Sequence, residues 1–490
     1  MKQHNVIVND VNKYISGRAH DILSEFSRFL SLPNHASSPE ATKRNAAFIK
    51  EMFEKRGVKI EISELPGAAP FIYGEYIVPD ADHTLLLYAH YDGQPVNTAR
   101  WNSNPWKPVI RTNAIDKSGE FRPFPDQGEH VDPDWRIYAR SASDDKAPFV
   151  AIASAFDALR ENNINITSNL KFIFEGEEEI GSPHLAEYLR QQKEKLNADI
   201  LLICDGPVHQ SGKPQLYFGA RGFGGLDITV YGPQRSLHSG HYGNWAPNPS
   251  LLLVHLLASM KDTDGMVLID DFYNDTEPLS EEETNKIRSF PDVSEELRKQ
   301  SGIAKPEGND VTLIERLLLP SLNIRGIDGG PVGKKAQNVI PSSASASIDI
   351  RLVKGNDPAV ILDRVEDHIR KQGYYIIREE PGTETRMKYP RLAKITRHEG
   401  YPAVRTRMDL PEIRSIIETA RRSAGEEVVL LPTMGASLPL YMFEDILDTP
   451  IAGIPIANHD NNQHGPDENI RIGNLWYGVR LFTSLFTGFW

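Results

Sequence analysis

At 490 residues the chain is long enough for at least two domains, each with its own core. Its 40% hydrophobic and 25% charged content is that of a soluble globular protein, and no apolar run approaches the roughly 20 residues that span a bilayer, which sets a membrane protein aside. A formal net charge of −13 argues against nucleic acid as a partner, and the lone cysteine, Cys204, excludes an internal disulfide and a cysteine-rich zinc site, so any metal falls to His, Asp and Glu.

The first residues, MKQHNVIVNDVNKYISG, lack the basic start, apolar core and small-residue cleavage site of a secretion signal, so a cytoplasmic location is expected. Phe48, Ile49, Met52 and Phe53 recur at helical spacing between Asn45 and Arg56, with Gly57 as the stop signal. Three short apolar runs follow, Thr84–Ala89, Asn169–Phe174 and Asp199–Cys204. Helix-like segments at Ala147–Arg160 and His184–Leu196 separate them. This alternation predicts an α/β layer with a mostly parallel sheet. The Pro- and Asn-rich stretch from Trp101 to Trp135 reads as an ordered but irregular loop.

Past Gly206 the pattern changes. Leu216–Tyr231 is rich in Gly and β-branched residues, and Ser345–Val353 alternates strictly, with Ala346, Ile348, Ile350 and Leu352 on one face. Asp357 and Pro358 supply the cap and first turn of a helix running to Gly373. These elements predict a smaller α+β domain inserted at 213–395, between a first part at 1–212 and a second at 396–490. Ser280 and Glu283 read as a capping box in the acidic stretch 262–310. Pro411–Ala424 is a further helix, and Ile451–Ile456 a return to the main layer.

Each of the three early apolar runs ends in metal-ligand chemistry: His90 and Asp92, then the glutamates of FEGEEEIGS, then Asp205. Open α/β sheets build their sites at the carboxyl ends of parallel strands. His90 and Asp92 are two apart and so point the same way on an extended segment, which lets a carboxylate orient an imidazole, although H-x-D alone is also the pattern of a surface turn. Ser143-Asp-Asp-Lys146 reads either as an acidic helix cap or as an aspartate shared by two cations. Four glutamates in five positions after a buried strand need donors or cations to be tolerable; one of them can ligate while its neighbour takes a proton from water. Near the end of the chain, Asn458–Glu468 places two histidines in a loop.

Together AHYD, RSASDDK, EGEEEIGS, ICD and QHGPDE, in that order, resemble the M20 family of co-catalytic metallopeptidases, most closely its carnosinase-like and Cys-Gly-dipeptidase-like branch. The resemblance runs from the helix near Asn45 to the C-terminal region. It implies a catalytic domain with an inserted lid and dimerisation domain, and two divalent ions, zinc ahead of manganese or cobalt. Asp144 would bridge them. His90 and Asp205 would complete one site, Glu179 and His464 the other. Glu178 would be the general base and Asp92 the partner of His90, with a cis peptide at Asp144-Asp145.

In the inserted domain the resemblance makes His238, in Ser236–Gly240, the residue that stabilises the oxyanion, and Asn338, Arg351, Gly435 and Ser437 substrate contacts. The sequence departs from the family pattern at Ala147, where Gly is usual after D-D-K, at Ala436, and at Gln463, where a small residue precedes the last histidine. The implied function is hydrolysis of the amide bond of dipeptides or short peptides by metal-activated water, with a small peptide as substrate and a homodimer formed through the inserted domain. An amidohydrolase acting on N-acyl or N-carbamoyl amino acids is the alternative from the same catalytic set, and an inactive scaffold of the same fold is the non-enzymatic one.

Overall fold

The computed structural model describes residues 2–308, 311–436 and 438–488. They cluster into two compact units, one of Met1–Gly219, Thr406–Pro432 and Met442–Trp490, the other of Ala220–Arg405 and Thr433–Tyr441. Among the described residues no helix is long and apolar enough to cross a membrane.

The first unit is built on an eight-stranded sheet in the order Lys59–Ser63, Phe71–Tyr76, Asn169–Glu175, Thr84–His90, Ile200–Ile203, Ile451–Gly453, Gln215–Tyr217, Val429–Leu431. Its four middle strands run parallel. Leu85, Leu86 and Leu87 are wholly buried, because a central parallel strand is covered on both faces and so reads as an unbroken apolar run. The helix Ile472–Gly488 packs on Lys146–Glu161, Pro411–Ala424 and Lys2–Leu30, and it is apolar around most of its girth, as a helix enclosed by others must be.

Strand register decides where the chemistry falls. Tyr88 pairs with Ile173 on one side and Ile203 on the other, and His90 pairs with Glu175. Counting two residues on from Tyr88 and from Ile203 brings His90 and Asp205 out of the sheet at the same level. The ligand-bearing ends named from the sequence therefore emerge side by side.

The stretch between Trp101 and Trp135 departs from expectation. It carries the strands Val109–Arg111 and Phe121–Arg122, which join Arg136–Tyr138 and Asn469–Arg471 in a four-stranded sheet ordered 469–471, 136–138, 109–111, 121–122. Strands of two or three residues among Pro and Asn show no period to read, and one partner comes from the far end of the chain, so their pairing is invisible locally.

The second unit holds a five-stranded sheet, Ser321–Asp328, Ser343–Leu352, Gly222–Tyr231, Leu392–Tyr401, Tyr375–Ile377, antiparallel except for its last pair. Ala346, Ile348, Ile350 and Leu352 point into its core with Leu226, Ile228 and Val230, as the alternation predicts. The helices Pro249–Ala258 and Pro358–Lys371 contribute Leu253, Leu256, Ile361 and Val365 to that core. Asp357 caps the second helix by accepting from Ala359 and Val360 N–H, and the Ser280–Glu283 capping box is formed.

Candidate metal centre

Two groups of residues that could hold a metal ion meet in the first unit. His90, Asp144 and Asp205 offer ligand atoms within 4.8 Å of one another, and so do Asp144, Glu179 and His464. Asp144 belongs to both: its Oδ1 is 2.8 Å from His90 Nε2, and its Oδ2 is 3.0 Å from His464 Nε2. Glu179 Oε2 lies 3.1 Å from the same nitrogen of His464. The first group is buried throughout, whereas His464 is 53% exposed, so one group is interior and the other opens to solvent.

These residues fit a pair of cations. Oδ1 of Asp205 is buried without a hydrogen-bond partner among the described residues, and both buried ring nitrogens of His90 face carboxylate oxygens, Nε2 that of Asp144 and Nδ1 that of Asp92. Buried polar atoms are normally satisfied, and one histidine with two carboxylates is a donor set suited to a divalent ion. The electrostatics agree. Burial, reinforced by the charge of Asp144, pushes the Asp205 carboxyl up to about 7. Burial pushes Glu178 and Asp145 well above the carboxylate range as well. Hydrogen bonds to Asp144 and Glu179 raise His464 to about 10. Burial works to raise Asp144 too, but its hydrogen bonds to His464 and His90 overcome that and hold it low. The cluster thus carries more carboxylate than its two histidines balance.

The glutamate run resolves into four different environments. Gly176 permits this, since a Cβ there would lie 2.6 Å from Cζ and Oη of Tyr91, whose hydroxyl is held by Pro70 O. Glu175 turns into the core and accepts from Tyr88 Oη at 2.7 Å. Glu177 accepts from Ala69 N–H at 2.8 Å and meets His184 Nδ1 at 2.8 Å. Glu179 reaches His464, and Glu178 Oε2 stands 4.0 Å from His90 Nε2, belonging to neither ligand group. Asp92 sits 3.4 Å from His90 Nδ1, as the two-residue spacing anticipates, and has a further duty. Its two oxygens accept the N–H groups of Glu178 and Glu179, at 3.2 and 3.0 Å, and so hold the start of the 3-10 turn Glu178–Ile180. The Asp144-Asp145 peptide is cis, and Asp145 Oδ2 accepts the N–H of His90 at 3.3 Å.

Sequence reasoning missed several participants. Gln463 Nε2 donates to Asp144 Oδ2 at 2.8 Å, and Gln94 Nε2 to Glu179 Oε2 at 2.7 Å. Gln463 was visible as a departure, but nothing local indicates that its amide reaches Asp144, 319 positions away. The remaining sequence-predicted residues lie in the second unit. His238 is exposed on the short strand Leu237–His238, Asn338 is exposed beside it, and Gly435 is half-buried. Arg351 is half-buried, 3.4 Å from Asp349. Ser437 lies outside the described residues.

Residues 86–487 match the model of peptidase family M20/M25/M40. The chain is 25% identical over 492 residues to the Cys-Gly metallodipeptidase of Schizosaccharomyces pombe, covering 96% of each chain. It is 26% identical to the human Beta-Ala-His dipeptidase over 85% of this chain and 77% of that one. Among solved structures, an M20 family metallo-carboxypeptidase from Sulfolobus solfataricus superposes with a TM-score of 0.74 at 28% identity, over 95% of this chain and 98% of the other. With the family match spanning most of its length and two groups of potential metal ligands sharing Asp144, the chain belongs to peptidase family M20/M25/M40.

Proposed function

We propose that this protein is a di-metal dipeptidase that hydrolyses the amide bond of dipeptides or short peptides, with zinc as its metal. The observation that carries the reading is Asp144: one buried carboxylate offers an oxygen to each of two histidine-containing groups, while Glu178 stands beside them and joins neither. The names of the fission-yeast and human relatives, both dipeptidases, support the substrate class.

His90, Asp144 and Asp205 would hold one ion, and Asp144, Glu179 and His464 the other. Bound there, divalent ions supply Lewis acidity, polarising the scissile carbonyl and making a water acidic enough to lose its proton near neutral pH. Glu178 takes that proton and returns it to the departing amine; the proton affinity that burial confers on it, opposed by His90, suits both halves of the task. Asp92 keeps the His90 ring oriented. His238 donates to the oxygen that gains charge as the carbonyl is attacked. Its Nδ1 accepts Gly240 N–H at 3.1 Å, which puts the ring proton on Nε2, the nitrogen left to donate. Asn338, Arg351, Gly435 and Ser437 grip the substrate, Arg351 through its carboxylate.

A homodimer formed through the inserted domain is part of the proposal. Among the described residues the edge strand Ser321–Asp328 pairs on one side only and exposes Ile324 and Ile327, and the helix Pro249–Ala258 exposes Leu251 and Val254. Sedimentation of the full chain tests it. A cytoplasmic setting is proposed as well, in keeping with a chain whose single cysteine, Cys204, is buried.

The activity is tested by removing metal, restoring zinc or manganese separately, and assaying a panel of dipeptides and N-acyl amino acids. Cleavage of dipeptides with a free amine, dependent on added metal, is the expected result. Cleavage of the N-acyl compounds alone moves the protein to amidohydrolase chemistry, and no cleavage with either metal refutes the enzymatic reading.

A further inference from the structure

Asp144 and His464 lie on loops 320 positions apart in the chain, and the buried ion pair Arg140–Glu468 ties these loops together. Glu468 is wholly buried and accepts five hydrogen bonds from the Asp144 loop. Its Oε2 takes Arg140 Nη1 at 2.8 Å and Ser141 N at 2.9 Å. Its Oε1 takes Ser143 N at 3.0 Å, Ser143 Oγ at 2.9 Å and Asp144 N at 3.0 Å. A carboxylate offers about four lone-pair sites, so this one is saturated by its neighbours and has nothing left for a ligand. Arg140, 2% exposed, reaches the other way: besides Glu468 it approaches the carbonyls of His464 and Gly465 at 3.4 and 3.3 Å. Each loop therefore holds the backbone of the other through a side chain.

The same junction is closed on both flanks. Tyr138 pairs with Asn469 and Arg136 with Arg471 in the small sheet, and Asn102 holds both oxygens of Asp467 at 2.8 and 2.7 Å. His90 and Asp205, in contrast, emerge from adjacent strands of the main sheet, where register alone sets their separation.

We propose that Glu468, with Arg140, is a positioning residue that fixes the separation of Asp144 and His464 and thereby governs the solvent-side cation site more strongly than the interior one, which shares Asp144 but takes His90 and Asp205 from the main sheet. The inference rests on the di-metal reading above. Glu468 touches no ligand atom and no substrate; it acts through the loop it anchors.

Cobalt(II) is the probe, titrated into metal-free full-length protein and followed by visible absorption and by competition with a chromophoric chelator. Wild type takes up two equivalents, and His464→Ala identifies which step is the solvent-side site. In Glu468→Gln the amide turns donors toward at least one of the donors now bound, so that same step weakens by about 10- to 100-fold, while the other, which shares only Asp144 with the disturbed loops, weakens by a clearly smaller factor. Ser143→Ala removes one of the five bonds and leaves Arg140 paired; it shifts the same step in the same direction by a smaller factor, and it carries the test if Glu468→Gln does not fold. Equal weakening of both steps, or no change in either step in a folded variant, overturns the inference while the di-metal reading stands. A wild type that binds fewer than two equivalents refutes the di-metal reading itself, and the inference with it.

Discussion

Asp92→Asn is a one-atom test of how the centre is held. Asp92 Oδ1 accepts the Glu178 N–H at 3.2 Å and sits 3.4 Å from His90 Nδ1, and Oδ2 accepts the Glu179 N–H at 3.0 Å. Asparagine has one acceptor oxygen for these two donors. Whichever way the amide turns, one N–H of the Glu178–Glu179 turn faces an NH2 group in a buried place, since Asp92 itself is wholly buried. An unsatisfied buried donor costs about 1–3 kcal/mol. At about 1.4 kcal/mol per decade, that is roughly a 5- to 150-fold loss if it falls on the arrangement of Glu178 and Glu179 in the transition state. Loss of the carboxylate behind His90 adds a drop in metal affinity of about 10- to 100-fold. The assay is kcat/KM on a cleaved dipeptide alongside metal content after dialysis, with thermal unfolding to show that the fold is kept. A variant that retains both metals and stays within about twofold of wild-type activity would refute the view that Asp92 joins the His90 ring to the glutamate turn.

Further outcomes follow from the same geometry. Glu178→Gln, which alters neither ligand group, keeps both metal equivalents and lowers kcat by about 10²- to 10⁴-fold; unchanged turnover with metal bound would remove Glu178 as the base. Gln463→Ala frees Asp144 Oδ2 of a 2.8 Å donor worth about 0.5–1.5 kcal/mol, so cobalt titration finds the solvent-side site about two- to tenfold tighter, and a weaker site would show that the amide supports the ligand instead. Glu366 of the inserted domain is buried, which tends to raise its carboxyl, yet Arg378 and Arg397 at 2.8 and 2.7 Å overcome this and hold it below its ordinary value of 4.5. A carboxyl lowered by folding adds stability that is fully present above the unfolded value and is lost as pH falls below about 4.5 through the folded one. Urea unfolding of Glu366→Gln should therefore show a shallower loss of stability over that acid range than wild type. Parallel curves would contradict the assignment.

Much of this centre is written along the chain. His90, Asp92 and Asp205 follow runs such as Leu85–Leu87 that only a doubly covered strand explains, and parallel strands in register deliver their ends to one edge. The same holds in the second unit, where the period-two run Ser345–Val353 and the cap at Asp357 reappear as strand and helix. Patterns of this kind depend on neighbours two to four residues apart, and the amino-acid order states them directly.

Other features depend on which distant segments meet. The run of glutamates predicts a charged turn, but only the packing of Tyr91 over Gly176, and the reach of Ala69, Tyr88 and His184, decides that Glu175 and Glu177 are structural while Glu178 and Glu179 face the cation groups. The partners Arg140 and Glu468 are 328 positions apart, and Asn102 and Asp467 are 365 apart. Their meeting is made by the small sheet that the stretch between Trp101 and Trp135 forms with the C-terminal strand, in pieces too short to carry a period. Amino-acid order thus determined the ligand types and the faces on which they lie, because those follow from local backbone geometry. Tertiary structure decided which carboxylates were left to bind cations, because that depends on how every other buried donor around them was already satisfied.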